Sequence, residues 1–371
     1  MSEPGTEGQP IGGGVAAIDR MLADAEVVVM SGPGGVGKTT IGAALGLRAA
    51  QVHGRRVVVV TVDPARRLAE ALGVARLTEE PVLVPVGSDE GRLWVLMVDM
   101  AKSWDELVSR HAPTDGVASQ LLANRLYRTL TRRFVQSHDY IALDHLLLLA
   151  EQDRYDLVIV DTPPSRHALD LFDAPGRMIE FFESRLLRWL TAGAGSGLTT
   201  LAAKPFLLVA ERLLGDDFLT QITEFFTLFS RLRPAFVARA RAVEARLSDP
   251  STTYAVVTTT DPLVAGGCQD LIDELQRRGL QPGLLVANRF PPSLRLTDVD
   301  GVVTPVPAVG QTELSSVTDP TLAEAVGRLV DRAGDATLPS TGATARPVVP
   351  VAWSAEDLAD LDGLAGLFPD P

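Results

Sequence analysis

Residues 31–40 read SGPGGVGKTT, and Gly32 to Thr39 fit the spacing G-x-x-x-x-G-K-[ST] of a phosphate-binding loop. Glycines let the backbone turn with its N–H groups facing inward, which forms a concavity for anions. The positive N-terminal end of the following helix adds to this site. We therefore predict that the loop binds the phosphates of a nucleoside triphosphate.

The flanking sequence favours this interpretation over a chance glycine-rich turn. Residues 26–30 (EVVVM) are typical of a short buried strand that enters the loop. Residues 41–51 (IGAALGLRAAQ) predict a helix that leaves it. Strand, loop and helix in this order form the context that the motif requires.

The predicted ligands of the loop are a nucleoside triphosphate and Mg²⁺. We expect Lys38 to reach the β- and γ-phosphates and Thr39 to hold Mg²⁺. The residues predicted to contact the nucleotide here are Gly34, Gly35, Val36, Gly37, Lys38, Thr39 and Thr40.

Further strand signals define the fold class. Residues 56–62 (RVVVVTV) form a continuous β-branched run, as in a parallel strand that is buried on both faces. Similar runs cover residues 92–98, 157–160, 254–259 and 283–287, with helical stretches between them. This alternation predicts an α/β fold, a doubly wound and mostly parallel sheet of the P-loop NTPase type with an inserted helical subdomain.

Polar residues follow three of these strand runs. In such sheets ligands bind beyond the carboxyl ends of the strands, so we expect Asp63, Asp161 and Asn288 to lie at that edge, beside the loop. Asp63 is predicted to orient or deprotonate the water that attacks the γ-phosphate; the alternative is an ordinary helix N-cap. Asp161 is predicted to hold Mg²⁺ directly or through water, and Thr162 with its neighbours to sense the γ-phosphate; the alternative for Asp161 is a strand-terminal cap. The predicted catalytic residues are Lys38, Asp63 and Asp161.

Two further side chains have less specific signals. The amide of Asn288 is suited to hydrogen-bond adenine, but an asparagine in a strand-to-loop turn explains the position almost as well. His167 has a side chain that titrates near neutral pH. A residue on a helix surface, or one that couples two parts of the site, is the favoured interpretation of His167.

The predicted organisation has three parts. Residues 1–24 are expected to form a mobile tail and an entry helix, 25–333 the ATPase domain, and 334–371 a linker with a short docking helix. Helical insertions are expected at about 101–152 and 177–247. Phenylalanines concentrate between residues 181 and 236. They predict either a subdomain with its own core or a groove for an apolar partner, with the first favoured.

Composition excludes several classes of protein. The formal net charge of −13 argues against sequence-independent nucleic-acid binding. Cys268 is the only cysteine, so neither an intrachain disulfide nor a cysteine-based metal cage is expected, and Cys268 is interpreted as a core residue. A signal peptide and a membrane-spanning run are not recognisable. A cytoplasmic location is expected, with a peripheral position at the membrane left open.

Together these motifs resemble the anion-transporting ATPase family, which includes the arsenite-pump ATPase and the cytosolic ATPase that guides tail-anchored proteins. The resemblance covers about residues 25–330 and rests on GPGGVGKTT, DPA at 63–65, DTPPSRHAL at 161–169 and Asn288. The runs DPARRLAEALG and DTPPSRHALDLFDAPGR are particularly similar to actinobacterial members.

The resemblance implies roles for individual positions. Asp63 corresponds to the switch I aspartate that positions water, Asp161 to the switch II aspartate near Mg²⁺, and His167 to a switch II histidine. Asn288 corresponds to the asparagine that contacts adenine. Residues 177–247 occupy the place of the helices that form a hydrophobic client groove across the dimer of the targeting ATPase.

The sequence also departs from the family pattern. The lysine that crosses the dimer to the partner's phosphates is replaced by Pro33, and the paired or clustered cysteines that bind zinc or arsenite are absent. A homodimer would therefore lack the crossing charge. A heterodimer with a paralogous subunit would supply it, unless Arg66, Arg67 or Arg166 substitutes.

Three functions remain open at this point. The first is a dimeric ATP-hydrolysing switch that couples the ATP state to a membrane-protein or apolar client. The second is a small-molecule kinase or nucleotide-dependent ligase on the same fold. The third is a surface-organising ATPase, which the acidic composition disfavours.

Overall fold

The computed structural model describes most of the chain. The described residues are 9–10, 14–61, 67–74, 77–87, 90–128, 137–162, 168–184, 216–280, 282–299, 302–308, 336–339, 347–352 and 360–368. They fall into two compact units. The α/β unit lies within 1–97, 149–169 and 248–371, and the helical unit within 98–148 and 170–247.

The strands all belong to the α/β unit. In chain order they are β1 (Gln9–Pro10), β2 (Val27–Ser31), β3 (Arg56–Thr61), β4 (Val82–Val84), β5 (Arg92–Met97), β6 (Leu157–Asp161), β7 (Thr252–Thr258), β8 (Pro282–Phe290), β9 (Leu294–Val299), β10 (Val302–Pro307) and β11 (Val348–Ala352). Eight of them form one sheet in the order β11-β8-β7-β2-β6-β3-β5-β4. Every neighbouring pair is parallel except β4 and β5. The predicted α/β fold with a mostly parallel sheet is confirmed.

The described helices also divide between the units. In chain order they are α1 (Gly14–Asp24), α2 (Lys38–Gln51), α3 (Arg67–Ala71), α4 (Met100–His111), α5 (Asp115–Ala123), α6 (Ser137–Ala150), α7 (Ala168–Glu183), α8 (Asp216–Ser230), α9 (Arg233–Leu247), α10 (Pro262–Arg277) and α11 (Leu361–Ala365). Among these helices none is both long and apolar enough to cross a membrane.

The centre of the sheet explains why the valine-rich runs form strands. All residues of β2 and β6 are buried, as are all but the first residue of β3. Helix α2 packs closely on these strands, and a Cβ placed on Gly46 would lie 2.7 Å from Val59. This burial fixes the carboxyl ends of three adjacent strands at one edge.

The ends of the chain correct two expectations. Residues 348–352, whose first three residues were expected to be linker, form β11, which pairs in parallel with β8. Gln9 and Pro10 of the predicted mobile tail pair with β9 in a separate antiparallel sheet, β1-β9-β10. The linker prediction failed because Pro-rich composition does not exclude an edge strand.

The C-terminal residues lie against the helix that follows the phosphate loop. Helix α11 packs on α2, and the carbonyl of Phe368 accepts a 2.7 Å hydrogen bond from Arg48 of α2. Asp360 caps α11, with its carboxylate accepting from the N–H of Gly363 at 2.7 Å. Ser354, which the sequence indicated as an N-cap, lies outside the described residues.

The helical unit has an aromatic core of its own. Phe182 and Phe236 are fully buried, and Phe182 stacks on Phe229 with ring centroids 5.1 Å apart. Trp104 stacks on Phe236 at 6.1 Å. In the described part of this unit, these aromatic side chains therefore build an interior. Residues 185–215, within the predicted insertion at 177–247, lie outside the described residues.

Candidate nucleotide-binding site

The candidate site lies at the carboxyl ends of β2, β3 and β6, which are adjacent in the sheet. The phosphate loop follows β2, Thr61 ends β3 and Asp161 ends β6. Because the three strands are parallel, their ends bring these residues to one edge. The structure thus brings together the predicted loop and the predicted Asp161.

The loop requires glycine at two positions where its backbone comes very close to a neighbouring strand. Gly32 has a φ of 140°, and a Cβ there would lie 2.3 Å from the carbonyl oxygen of Val257. Gly37 has a φ of 96°, and a Cβ there would lie 2.3 Å from Nδ2 of Asn288. Side chains at either position would therefore force the loop away from the strands that support it.

Helix α2 begins at Lys38 without a side-chain cap. Its N-cap residue is Gly37, which supplies no side-chain hydrogen bond to the first turn. The first N–H groups of a helix carry partial positive charge and need acceptors. An anion such as a phosphate would satisfy them.

Lys38 is held inside the loop. Its side chain is buried, and Nζ donates hydrogen bonds to the carbonyl oxygens of Gly32 at 2.9 Å and Pro33 at 3.0 Å. The ammonium group therefore lies within the turn that the motif predicts to surround phosphates. Pro33 contributes its carbonyl to this arrangement, and its side chain carries no charge.

A hydrogen-bonded group of three side chains joins the loop to the sheet. Oδ2 of Asp161 accepts from the hydroxyl of Thr39 at 2.8 Å and from the hydroxyl of Thr61 at 3.1 Å. Asp161 is 1% exposed. The strand ends therefore position the carboxylate directly against the first turn of α2.

The oxygen atoms of Thr39 and Asp161 are suitable ligands for a magnesium ion. Mg²⁺ prefers hard oxygen ligands and is usually bound through one or two protein groups together with substrate phosphates and water. Thr39 and Asp161 supply a hydroxyl and a carboxylate beside the phosphate loop. Among the described residues, no group of three or more His, Cys, Asp or Glu side chains could hold a metal by itself.

Thr61 was missed by sequence reasoning, whereas Thr162 was expected to sense the γ-phosphate together with its neighbours. Thr162 is buried and donates a 2.7 Å hydrogen bond to the carbonyl of Met30, at the end of β2. Thr61 shares the carboxylate of Asp161 with Thr39. The available signal for Thr61 was a threonine at the end of a buried strand.

Asn288 is placed against the loop. Its Nδ2 donates a 2.7 Å hydrogen bond to the carbonyl oxygen of Val36, and its Oδ1 accepts a 2.9 Å hydrogen bond from the N–H of Arg289. Strand β8 continues past Asn288 to Phe290, so the expected strand end at Asn288 is corrected. The asparagine lies within a strand irregularity and not in a simple strand-to-loop turn.

Two predicted residues cannot be placed. Asp63 and His167 lie outside the described residues, as do Arg66 and Arg166. Their predicted roles in positioning water and in the switch segments therefore stay predictions. Arg67 begins α3, where its side chain is not described.

Cys268 lies in the core of the α/β unit. It is fully buried on α10, and its thiol lies 3.5 Å from the carbonyl oxygen of Val257. Burial raises the pKa of this thiol to about 11, because the thiolate would lose its hydration. The thiol is therefore protonated and inert at neutral pH, as expected of a core residue.

Comparison with known proteins matches residues 25–298 to the family described as anion-transporting ATPase. An uncharacterised protein of Streptomyces coelicolor is 30% identical over 272 residues, 71% of this chain and 62% of that protein. The ATPase GET3 of Malassezia globosa is 23% identical over 268 residues, 71% of this chain and 73% of its own length. The arsenical pump-driving ATPase of Escherichia coli is 31% identical over 163 residues, 42% of this chain and 26% of its own length.

Proposed function

Since the chain belongs to the anion-transporting ATPase family, we propose that it binds and hydrolyses Mg·ATP at the loop of residues 31–40. We propose further that it works as a dimeric conformational switch, which couples its ATP state to a membrane-protein or apolar client. It would act in the cytoplasm or peripherally at the membrane.

The observation that carries this proposal is the 2.8 Å hydrogen bond between Thr39 and Asp161. It joins the phosphate loop to the end of β6, and a hydroxyl and a carboxylate beside the loop support the proposal that they hold the metal of a bound triphosphate. Magnesium would neutralise charge on the β- and γ-phosphates. Lys38 would bind the same phosphates through its ammonium group, and the uncapped N–H groups of α2 would bind their oxygens.

Calorimetric titration of Mg·ATP into the protein tests the binding. The unmutated chain is expected to bind, and Lys38→Ala is expected to lose binding because a buried cation in the loop is removed. Lys102→Ala is a matched control, since Lys102 lies exposed on α4. If the unmutated chain takes up no Mg·ATP, or if Lys38→Ala binds equally well, the proposal fails.

Product analysis tests the reaction. Hydrolysis predicts release of inorganic phosphate from ATP with no phosphorylated small molecule, and loss of turnover when EDTA removes magnesium. A phosphorylated metabolite, formed when cell extract is supplied, would instead show a kinase.

Pro33 bears on which subunits form the dimer. A proline at this position has no charge to offer a partner's phosphates, so we propose that a paralogous subunit with a lysine completes the site held by this chain. One lost charged contact to the transferred phosphoryl group slows the reaction by roughly 10² to 10³. Turnover is measured for this chain alone and after addition of each paralogous subunit. A fully active isolated chain that no subunit accelerates would contradict the heterodimer.

The surface beside the loop supports a dimer on this face. Leu263, in the first turn of α10, is 88% exposed. One helical turn later, a Cβ on Gly267 would lie 4.0 Å from the side chain of Pro33. Leu263 therefore lies one helical turn from the residue that approaches Pro33, which makes it a position where the proposed dimer can be tested. We expect Leu263→Asp to weaken any dimer that ATP induces, as measured by light scattering.

A further inference from the structure

The strand that carries Asn288 is irregular at this residue. Ala287 pairs with Pro350 of β11, and Phe290 pairs with Ala352. Two residues of β8, Asn288 and Arg289, therefore lie opposite one residue of β11, which defines a β-bulge. Arg289 has a φ of 55°, the left-handed conformation that residues other than glycine rarely adopt.

The bulge turns the Asn288 amide toward the loop. Its Nδ2 reaches the carbonyl of Val36 at 2.7 Å, and Val36 is itself 2% exposed. The opposite orientation of the amide would place Oδ1 against that carbonyl and Nδ2 against the N–H of Arg289. Both neighbours therefore fix the same orientation.

The adjacent glycine shows how close this approach is. A Cβ on Gly37 would lie 2.3 Å from Nδ2 of Asn288. The loop thus leaves room for the amide at the point where its backbone enters α2. The hydrogen bonds of Lys38 tie down the beginning of the loop at Gly32 and Pro33, whereas Asn288 holds its end.

We propose that Asn288 is a positioning residue, which anchors the phosphate loop through Val36 independently of any contact with the base. This inference rests on the proposed nucleotide site. An asparagine amide has two N–H donors and an oxygen with two lone pairs. The bonds to Val36 and Arg289 use one donor and one lone pair, so the anchor leaves capacity for the adenine contact that the family resemblance implies.

The segment that shapes the bulge lies outside the matched part of the chain. Strand β11 begins at Val348, whereas the family match ends at residue 298. Val351, which faces the bulge, is 1% exposed. The C-terminal strand therefore supports the loop of the nucleotide site through β8.

A ligand without a base separates the two roles of Asn288. The affinities of Mg·ATP and of magnesium tripolyphosphate are measured calorimetrically for the unmutated chain and for Asn288→Ala. The anchor predicts that both affinities fall by a similar factor, roughly three- to tenfold, the effect of one hydrogen bond. Gln269→Ala, which removes an exposed amide on α10, is expected to change neither.

Loss of ATP affinity with unchanged tripolyphosphate affinity would overturn the anchor, because it would assign Asn288 to the base alone. Unchanged affinity for both ligands would overturn it as well. If the unmutated chain binds neither ligand, the proposed function fails first.

Hydrogen exchange of the ligand-free protein tests the anchor without any nucleotide. Asn288→Asp keeps the shape of the side chain but replaces the donor to Val36 with an acceptor. Peptides covering residues 32–37 are expected to exchange faster than in the unmutated chain, while peptides of β7 exchange at the same rate. If residues 32–37 and β7 both exchange at the same rates in Asn288→Asp as in the unmutated chain, the inference is contradicted, even if Asn288→Asp has lost nucleotide binding.

Discussion

In the part of the chain that the structure describes, each unit buries one aspartate almost completely, but with different partners. Asp161 in the α/β unit is 1% exposed, and Asp144 in the helical unit is 2% exposed. Oδ2 of Asp161 accepts from two hydroxyl groups. Oδ1 of Asp144 accepts from the guanidinium of Arg239 at 2.6 Å, and Arg110 lies 3.7 Å from its Oδ2.

The different partners distinguish a structural ion pair at Asp144 from the proposed binding site at Asp161. A guanidinium satisfies a buried carboxylate and also balances its charge, so Asp144 ties α4, α6 and α9 together. Asp161 lies at the end of β6 beside the phosphate loop, where its carboxylate contacts two hydroxyl groups. This position fits the proposed role of Asp161 toward a cation that arrives with the nucleotide.

Removing Asp144 has the largest expected effect in this comparison. Asp144→Ala leaves the guanidinium of Arg239, which is 11% exposed, without its carboxylate. Breaking a buried pair from one side destabilises a protein by about 3–5 kcal/mol. We expect a loss of this size in the free energy of unfolding, measured by urea denaturation with circular dichroism.

The double variant Asp144→Leu/Arg239→Met sharpens this prediction. Replacing both partners by apolar side chains removes the unbalanced charge, so it is expected to recover most of the stability. If the double variant is as unstable as Asp144→Ala, the loss comes from packing and the ion-pair interpretation is wrong.

Asp161→Asn is expected to have the opposite signature. The amide keeps the shape of the side chain and removes a buried charge, so the stability of the ligand-free protein stays equal or rises. ATP turnover is expected to fall by roughly 10² to 10³, because the charge that is proposed to face the metal is removed. Both are measured on one preparation, by thermal denaturation and by phosphate release.

Asp156→Asn is the matched control, since this exposed carboxylate lies directly before the same strand. It is expected to leave turnover unchanged. Full turnover of Asp161→Asn would contradict the proposed role of Asp161 in ATP hydrolysis.

Asp19 is an intermediate case, a carboxylate that is 25% exposed and bound by the buried Arg48. Hydrogen bonds from Arg48, and then from His53, hold its pKa below the ordinary value of 3.8. The pair therefore stabilises the fold fully above pH 3.8, and this stabilisation is lost as the pH falls through the lower folded-state pKa.

Asp19→Asn is expected to cost about 1–2 kcal/mol at pH 7 and progressively less below pH 3.8. Urea denaturation at a series of pH values measures the difference between the two proteins. Glu80→Gln, at an exposed carboxylate, is the matched control and is expected to leave the stability at pH 7 unchanged. A constant cost of Asp19→Asn at every pH would show that its charge is not what stabilises the fold.

The sequence predicted the parts of the fold whose signals are local. Uninterrupted valine runs predicted β2, β3 and β6 to within one residue, because strands buried on both faces tolerate little else. The short edge strand β4 and the C-terminal β11 escaped prediction. Their residues are few or proline-rich, and their pairing with β5 and β8 depends on partners distant in the chain.

The same limit applies to the site. The motif spacing predicted the loop, Thr39 and Asp161, since each follows a recognisable strand. The contacts of Thr61 with Asp161 and of Asn288 with Val36 join residues 100 and 252 positions apart. Only the order of strands in the sheet determines such contacts, and no local pattern encodes that order.

The smallest effect is expected where a carboxylate pairs at the surface. Asp156 and Arg56 form an ion pair with the side chains 35% and 46% exposed, and the hydrogen bonds of Arg56 lower the pKa of Asp156. Water competes for both groups, so Arg56→Ala is expected to cost far less stability than Asp144→Ala, and less still in high salt. Urea denaturation at two salt concentrations measures this cost. A loss comparable to that of Asp144→Ala would show that the exposure of a carboxylate does not determine how much its ion pair stabilises the fold. The contrast between Asp144 and Asp161 would then need an explanation other than burial and charge balance.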